Sequence, residues 1–237
     1  NIKQIYLTKT ACVNFVADDK TDNDVRQLFT NSKIKPFSTS EKDIQEMTDA
    51  RSKYAYSENQ ELYRTTVKSA DLTVFEAFKN FTVIGNVNVN ELKKGTEIII
   101  CISEDTYDTS LNCLIDKEIH FSQIYDYNPK KDIGVRRDFV FRVAGIVIVP
   151  PQEEMYQNAF GVSAGLEFLC SSEAFDNIFG SQYYQGVYIQ LYNQNDTQKL
   201  INVIKSIKAD NPQGEYISKT EVREEIKKIN NIVNVVM

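Results

Sequence analysis

The feature that most constrains the fold is a long apolar run in the middle of the chain. Residues 139–149 read FVFRVAGIVIV, with Arg142 inside the run and Pro150-Pro151 directly after it. A membrane-spanning helix needs roughly 18 or more consecutive apolar residues, so this run is too short to span a bilayer. Its β-branched residues favour a buried strand, as do those of residues 97–102 (EIIICI). The sequence therefore predicts a domain built around a buried sheet.

Composition and charge agree with a folded globular protein. Of the 237 residues, 42% are apolar and 25% are charged, which disfavours disorder. The formal net charge of -6 disfavours nucleic acid as a partner, because nucleic-acid binding selects basic surfaces. The same charge disfavours broad adsorption to anionic lipid.

Both ends of the chain alternate strand and helix patterns, whereas the middle is rich in strands. Residues 11–17 predict a strand, and the capping pattern Thr21-x-x-Asp24 predicts a helix after it. Residues 187–192 alternate apolar and polar side chains, a helix pattern follows, and residues 215–218 read as another short strand. We therefore expect an α+β fold in two parts. Residues 1–79 and 180–218 form one subdomain, in which residues 11–17 lie beside residues 187–218. A mostly β subdomain of residues 80–179 interrupts it; its strands, over residues 80–150, form a separate lobe, and the charged residues 129–138 form a solvated hairpin loop.

The last segment, residues 219–237, predicts a helix that continues beyond the chain. Ser218-x-x-Glu221 offers a capping box, and its acidic residues precede its lysines, as the helix dipole favours. The segment is still apolar at Met237, and the chain begins with Asn1 rather than methionine. We expect a stalk helix in an excised piece of a longer protein, with one apolar stripe formed by Val222, Ile226, Ile229 and Val233.

Residue patterns that could carry catalysis or hold a metal are weak. Residues 161–165 (GVSAG) match a nucleophile-elbow pattern around Ser163, but no histidine follows to activate that serine. The single histidine, His120, precedes it on an alternating strand and is expected to be a surface or edge side chain. One histidine cannot build a zinc site, and the phosphate-binding glycine motifs are missing from the sequence. We therefore expect no catalytic residues, no cofactor and no metal.

Two residue types remain open to more than one interpretation. The four cysteines favour buried thiols, with Cys12 and Cys101 expected inside the core and Cys101 with Cys113 as the one pair considered for a disulfide. Thirteen tyrosines are many for this length. Those near the strand of residues 187–192 suggest either a partner-binding surface or ordinary edge-strand residues. They are Tyr183, Tyr184, Tyr188 and Tyr192.

The order of several weak motifs resembles one known family. Gly85 closes a strand, an Asn90-Glu91-Leu92-x-x-Gly95 turn leads into residues 97–102, and Asp116 to Ile119 open the next strand. Residues 141–147 (FRVAGIV) follow, and residues 166–175 (LEFLCSSEAF) precede the strand at 187–192. Over residues 70–237 this resembles the extracytoplasmic domain of ABC-transporter permeases of the MacB/FtsX-like class. The chain departs from that pattern at Asn86, where an arginine is usual, and at Asp116, where a glycine is frequent.

The resemblance implies a domain inserted between two membrane helices, on the outer side of the cell membrane. It implies a porter-like βαβ part and a second, mostly β part, without an active site. The implied partners are a cytoplasmic ABC ATPase, a second permease copy and an exported or sensed molecule of unknown identity. The alternative, from another class, is a free secreted or surface-attached binding module such as an adhesin or solute receptor. About 20 apolar residues directly before Asn1 and after Met237 would favour the permease.

Overall fold

The computed structural model describes residues 2–30, 60–128, 133–153, 156, 167–180, 184 and 186–210. Short 3₁₀ helices at Phe78–Asn80, Thr109–Leu114 and Gln194–Asp196 join the longer elements. In chain order, the strands and helices are β1 (Ile2–Thr8), β2 (Thr10–Ala17), α1 (Asn23–Thr30), β3 (Glu61–Ala70), α2 (Leu72–Ala77), β4 (Thr82–Gly85), α3 (Val89–Lys94), β5 (Glu97–Ser103), β6 (Glu118–Asn128), β7 (Ile133–Val149), β8 (Glu167–Ser171), α4 (Ser172–Phe179), β9 (Gly186–Leu191) and α5 (Thr197–Asp210).

Seven strands form one mixed sheet in the order β4-β7-β5-β8-β3-β2-β6. Strand β7 is 17 residues long and therefore has room for three neighbours. Its first half pairs antiparallel with β6, and its second half pairs parallel with β5 and antiparallel with β4. Because β6 also pairs with β2, six of the seven strands form a closed ring, and β4 lies outside it.

The two faces of this sheet are both buried, which explains the unbroken apolar runs of β5 and β7. On the inner face, the ring of Phe121 stacks on Phe139 at 5.7 Å and meets Phe168 edge-on at 5.1 Å. On the outer face, Ile99 and Leu169 pack beneath the short helices α2 and α3. Successive side chains of a strand point to opposite faces, so a strand between two apolar layers must be apolar throughout.

Local sequence signals account for the starts and ends of the helices. The carboxylate of Asp71 accepts hydrogen bonds from the N–H groups of Thr73 and Val74 and so caps α2. The Ser171 hydroxyl accepts from the N–H of Ala174 and caps α4. Helix α3 ends at Gly95, whose φ of 82° lies in the left-handed region that glycine adopts without steric cost.

The chain divides into two compact units that differ from the predicted subdomains. Among the described residues, the larger unit comprises residues 6–188 and the smaller comprises residues 2–5 and 189–210. The prediction that residues 80–150 form a separate β lobe is wrong, because β2 and β3 belong to the same sheet as β4 to β7. Short-range patterns identified these strands, but strand partners are chosen by long-range packing. The boundaries at 180 and 218 and the porter-like character of the chain ends stay predictions.

Three further expectations need correction. Strand β9 pairs with β1, a strand that the sequence did not reveal, rather than lying beside residues 11–17. Residues 133–138, expected in a solvated loop, begin β7, because pairing with β6 extends the strand beyond its apolar part. Cys12 is exposed, since it alternates with the buried Ala11 and Val13 on β2. All four cysteines are thiols, and the burial expected of Cys101 is confirmed.

Candidate functional site

Three of the segments that carry the family resemblance meet at one junction of the larger unit, where β4 lies against β7. Gly85 pairs with Gly145, and both positions require glycine. A Cβ atom on Gly85 would lie 2.6 Å from the carbonyl oxygen of Ala144, and one on Gly145 would lie 2.5 Å from that of Ile84. The two glycines therefore let β4 and β7 approach more closely than any side chain would allow.

Asp116 completes this junction and has an unusual backbone. Its φ is 62°, and within the described ranges it is the one residue other than glycine whose φ is positive. Its N–H donates to the carbonyl of Val143 at 2.8 Å, which holds the turn before β6 against β7. A residue with a β-carbon pays a steric cost in this region, although aspartate tolerates it better than most. This explains why the resemblance leads one to expect glycine at this position.

Arg142 ties the junction together through two carboxylates. Its guanidinium donates to Asp116 at 2.5 Å and to Glu97, and the hydrogen bond with Glu97 raises the pKa of Arg142. Glu97 is buried, and its second carboxylate oxygen has no hydrogen-bond partner among the described residues. Arg142 is the charge inside the apolar run, and its position in β7 places it between the ends of β5 and β6. The cluster is an ordered structural ion pair rather than an obvious ligand site.

A substitution of Asp116 tests the balance between backbone strain and this ion pair. We expect Asp116→Gly to lie within about 1 kcal/mol of wild type, because relief of the strain offsets the loss of an exposed ion pair. We expect Asp116→Val to lose about 2 kcal/mol, because a β-branched residue is strained at positive φ and cannot bind Arg142. Urea unfolding followed by circular dichroism measures both; equal losses in the two variants would contradict the backbone argument.

The predicted tyrosine surface is only partly testable, because Tyr183 lies outside the described residues. In the larger unit, Tyr184 is 50% exposed, whereas Tyr188 packs against the outer-face core, and burial raises its pKa. In the smaller unit, Tyr192 is 75% exposed. Tyr184 and Tyr192 are thus available to a partner, whereas Tyr188 is in large part a packing residue. That any of them binds a partner stays a prediction.

Tyr184 also covers a buried lysine that sequence reasoning missed. The side chain of Lys9 is 7% exposed, and its ammonium donates to both carboxylate oxygens of Asp176 at 2.5 and 2.8 Å. The same ammonium lies 5.1 Å from the centre of the Tyr184 ring, within the range of a cation–π contact. A lysine next to a strand is usually exposed, so no local signal could have predicted this burial.

A second buried ion pair joins β3 to β8. Glu167 accepts a hydrogen bond from the Thr66 hydroxyl at 2.6 Å and lies 3.4 Å from the ammonium of Lys68. Burial of Glu167 raises the pKa of its carboxyl, and Lys68 and Thr66 reduce that rise without cancelling it. Glu167 in turn contributes, after burial itself, to the raised pKa of the Cys101 thiol. The pair binds two parallel strands together beneath the outer-face core.

The raised pKa of Glu167 predicts a pH dependence of stability. A carboxyl whose pKa is raised by folding stabilises the fold fully below its ordinary value of 4.5, and this contribution is lost as the pH rises through the raised pKa. The Glu167→Gln variant lacks this carboxyl and does not lose the contribution. Its free energy of unfolding should therefore rise relative to that of wild type as the pH increases from about 4.5 to neutral. Urea unfolding at several pH values measures the difference. A difference that stays constant, or that moves the other way, contradicts the assignment.

The remaining candidate residues are either exposed or outside the described part of the chain. His120 is exposed on β6, as expected. Ser163 and the stalk residues Val222, Ile226, Ile229 and Val233 lie outside the described residues. Within the described ranges, no three His, Cys, Asp or Glu side chains are grouped so that they could hold a metal ion. The absence of catalytic residues and cofactors stays a prediction.

No helix in the described residues is both long and apolar enough to cross a bilayer.

The chain matches no family model and no curated protein. Its fold is similar to extracytoplasmic domains of transporters that have been solved. One is the extracellular domain of the ABC-type transporter YknZ from Gram-positive bacteria, with 10% identity, a TM-score of 0.40, and coverage of 84% of this chain and 70% of that one. Another is the periplasmic region of MacB from Actinobacillus actinomycetemcomitans, with 8% identity, a TM-score of 0.46, and coverage of 95% of this chain and 76% of that one.

Proposed function

We propose that this chain is the extracytoplasmic domain of a MacB/FtsX-like ABC-transporter permease. In this role it binds a substrate or partner and relays motion to the membrane helices, while a separate cytoplasmic ATPase supplies the energy. The proposed setting is the cell membrane, with this domain on the outer side. The proposed partners are the ATPase, reached through the membrane part, a second permease copy, and the exported or sensed molecule.

The observation that carries this proposal is the junction between β4, β7 and the turn before β6. Three of the motifs behind the sequence resemblance lie between residues 85 and 147, and each of them is weak alone. In the fold, Gly85 contacts Gly145, and Asp116 contacts both Arg142 and Val143. Their contact supports the view that they form one structural unit of the resembled family.

The relay part of the proposal concerns the stalk helix predicted for residues 219–237. A helix transmits a shift along its axis only if its hydrogen-bond ladder is unbroken, and an interior proline costs about 3 kcal/mol or more. In the full transporter, Ile226→Pro should leave ATP binding intact but uncouple ATP hydrolysis from transport. Lys227→Gln, on the outer face, serves as the control and should have little effect. Normal coupling in Ile226→Pro would refute the relay.

The experiment that tests the class of protein uses the full-length chain in its own cells. Cys12 is exposed, Cys113 is half-buried, and Cys101 and Cys170 are buried, so a membrane-impermeant maleimide should label this domain on intact cells mainly at Cys12. Cys12→Ser is the matched control and should remove most of the label. The permease should also remain in the membrane after a carbonate wash and purify with an ABC ATPase in mild detergent.

The alternative functions give different results in the same experiment. A protein that is labelled on intact cells but released by carbonate, without an ATPase, would be the free or surface-attached binding module. A protein that is labelled only after the cells are broken would contradict both functions. A serine-reactive fluorophosphonate probe tests the remaining hydrolase hypothesis, since stoichiometric labelling that Ser163→Ala abolishes would require a catalytic role.

A further inference from the structure

Among the described strands of the larger unit, β4 is the one that ends the sheet and has a single neighbour. Closure of the ring through β6 and β7 leaves six strands with neighbours on both sides, so within the described residues β4 is the terminal strand. Thr82, Val83 and Gly85 are exposed, and no described strand pairs with their outer side. An open edge carries backbone donors and acceptors that can pair with another strand.

The hydrogen-bond register shows which groups of β4 point outward. The N–H of Asn86 donates to the carbonyl of Ala144 at 3.0 Å, which makes this pair a hydrogen-bonded one. Such pairs alternate along an antiparallel ladder, so Ile84 and Thr82 also bond to β7. The N–H and C=O groups of Val83 and Gly85 therefore face away from the sheet. The edge offers two residues, two positions apart, that can each exchange a pair of hydrogen bonds.

The sequence around this edge has no charge. Residues 80–90 read NFTVIGNVNVN, although a quarter of the whole chain is charged. Natural edge strands are commonly protected by lysine or proline, and neither occurs in this segment. Two copies of a chain with a net charge of -6 repel each other, and they approach most easily where the contacting segments are neutral. Val83 is also 37% exposed, which adds apolar surface to the edge.

We propose that β4 pairs antiparallel with β4 of a second copy of this chain, about a two-fold axis at Ile84. In this register the N–H and C=O groups of Val83 in each copy face those of Gly85 in the other copy. An isologous contact of this kind needs a surface that complements itself, which a neutral antiparallel edge does. The pairing joins two seven-stranded sheets into one, and it follows from the edge alone, whether or not the chain belongs to a permease.

The test combines sedimentation velocity over a wide concentration range with amide hydrogen exchange. The wild-type chain should associate to a dimer, and the Val83 amide should become protected as the concentration rises. Val83→Pro removes only an outward donor, because the N–H of Val83 is not used in the β4–β7 ladder. Each dimer loses two hydrogen bonds, so we expect dimerisation to weaken roughly tenfold or more.

Two controls make the outcome specific. Val140→Ser removes another exposed valine, on β7 and away from the edge, and should leave dimerisation unchanged. If circular dichroism shows that Val83→Pro does not fold, Val83→Glu decides the question, because it keeps the N–H but brings like charges together across the axis. The proposal is overturned by a wild-type chain that stays monomeric throughout, or by a folded Val83 variant that dimerises as well as wild type.

Discussion

Gly145→Ala should lower the free energy of unfolding by about 2–3 kcal/mol, the range for an overpacked core site. The new Cβ would lie 2.5 Å from the carbonyl oxygen of Ile84 and 2.9 Å from Cγ2 of Val87. The first of these atoms belongs to the backbone of β4, so it cannot rotate away as a side chain can. Relief of the clash requires β4 to move off β7. Urea unfolding followed by circular dichroism measures the loss.

A second glycine provides the control for this substitution. Gly95 has a φ of 82°, and a Cβ there would lie 3.2 Å from the Cβ of Ala174 and 3.5 Å from its Cα, a milder contact than the 2.5 Å at Gly145. Gly95→Ala should therefore show mainly the cost of the left-handed conformation, about 1 kcal/mol. A Gly145→Ala variant as stable as wild type, or less affected than Gly95→Ala, would mean that β4 is not held closely against β7. The junction described above would then not be a rigid feature of the fold.

Asp176→Ala is the substitution with the other large expected effect. The Lys9 side chain is 7% exposed, and the substitution would remove the carboxylate that its ammonium binds. Removal of one partner of a buried ion pair typically costs about 3–5 kcal/mol. The Asp176 side chain is 35% exposed, so water can reach part of the site and we expect the lower end of this range. Thermal and urea unfolding should both show the loss.

The double variant Lys9→Met, Asp176→Leu separates charge from packing. If the large loss in Asp176→Ala arises from an uncompensated charge, removal of both charges should recover most of the stability. Lys9→Met alone should cost less than Asp176→Ala, because an exposed carboxylate is solvated more readily than a buried ammonium. A double variant as unstable as Asp176→Ala would show that the pair contributes shape rather than charge compensation.

The prediction of individual elements from sequence was accurate where patterns are local. Residues 97–102 and 139–149 are buried strands because their β-branched side chains fit between two apolar layers. The helix after Thr21 and the strand-helix pattern after residue 187 were recognised from capping residues and periodicity. The close approach at Gly145 could also be anticipated, because a glycine inside a strand commonly marks a bulge or a close backbone contact.

Other features depend on contacts between distant residues, which a local pattern does not contain. The ring closes because β7 is long enough to pair with three strands, and a chain read in order shows only its apolar second half. The burial of Lys9 depends on Asp176, which lies 167 residues further along the chain. In the same way, the left-handed backbone of Asp116 is maintained by its hydrogen bond to Val143 and by Arg142.

The sequence by itself determined the α+β class, most of the strands and helices, and the family that the chain resembles, because these rest on side-chain periodicity and short motifs. The tertiary structure alone decided the closed ring, the terminal place of β4 among the described strands and the burial of Lys9. The physical reason is that strand partners, and the burial of a charge, are set by the combined packing of segments far apart in the chain. Residues 80–90 illustrate both, because their neutral composition is visible in the sequence, whereas their place at the sheet's open edge is visible only in the fold.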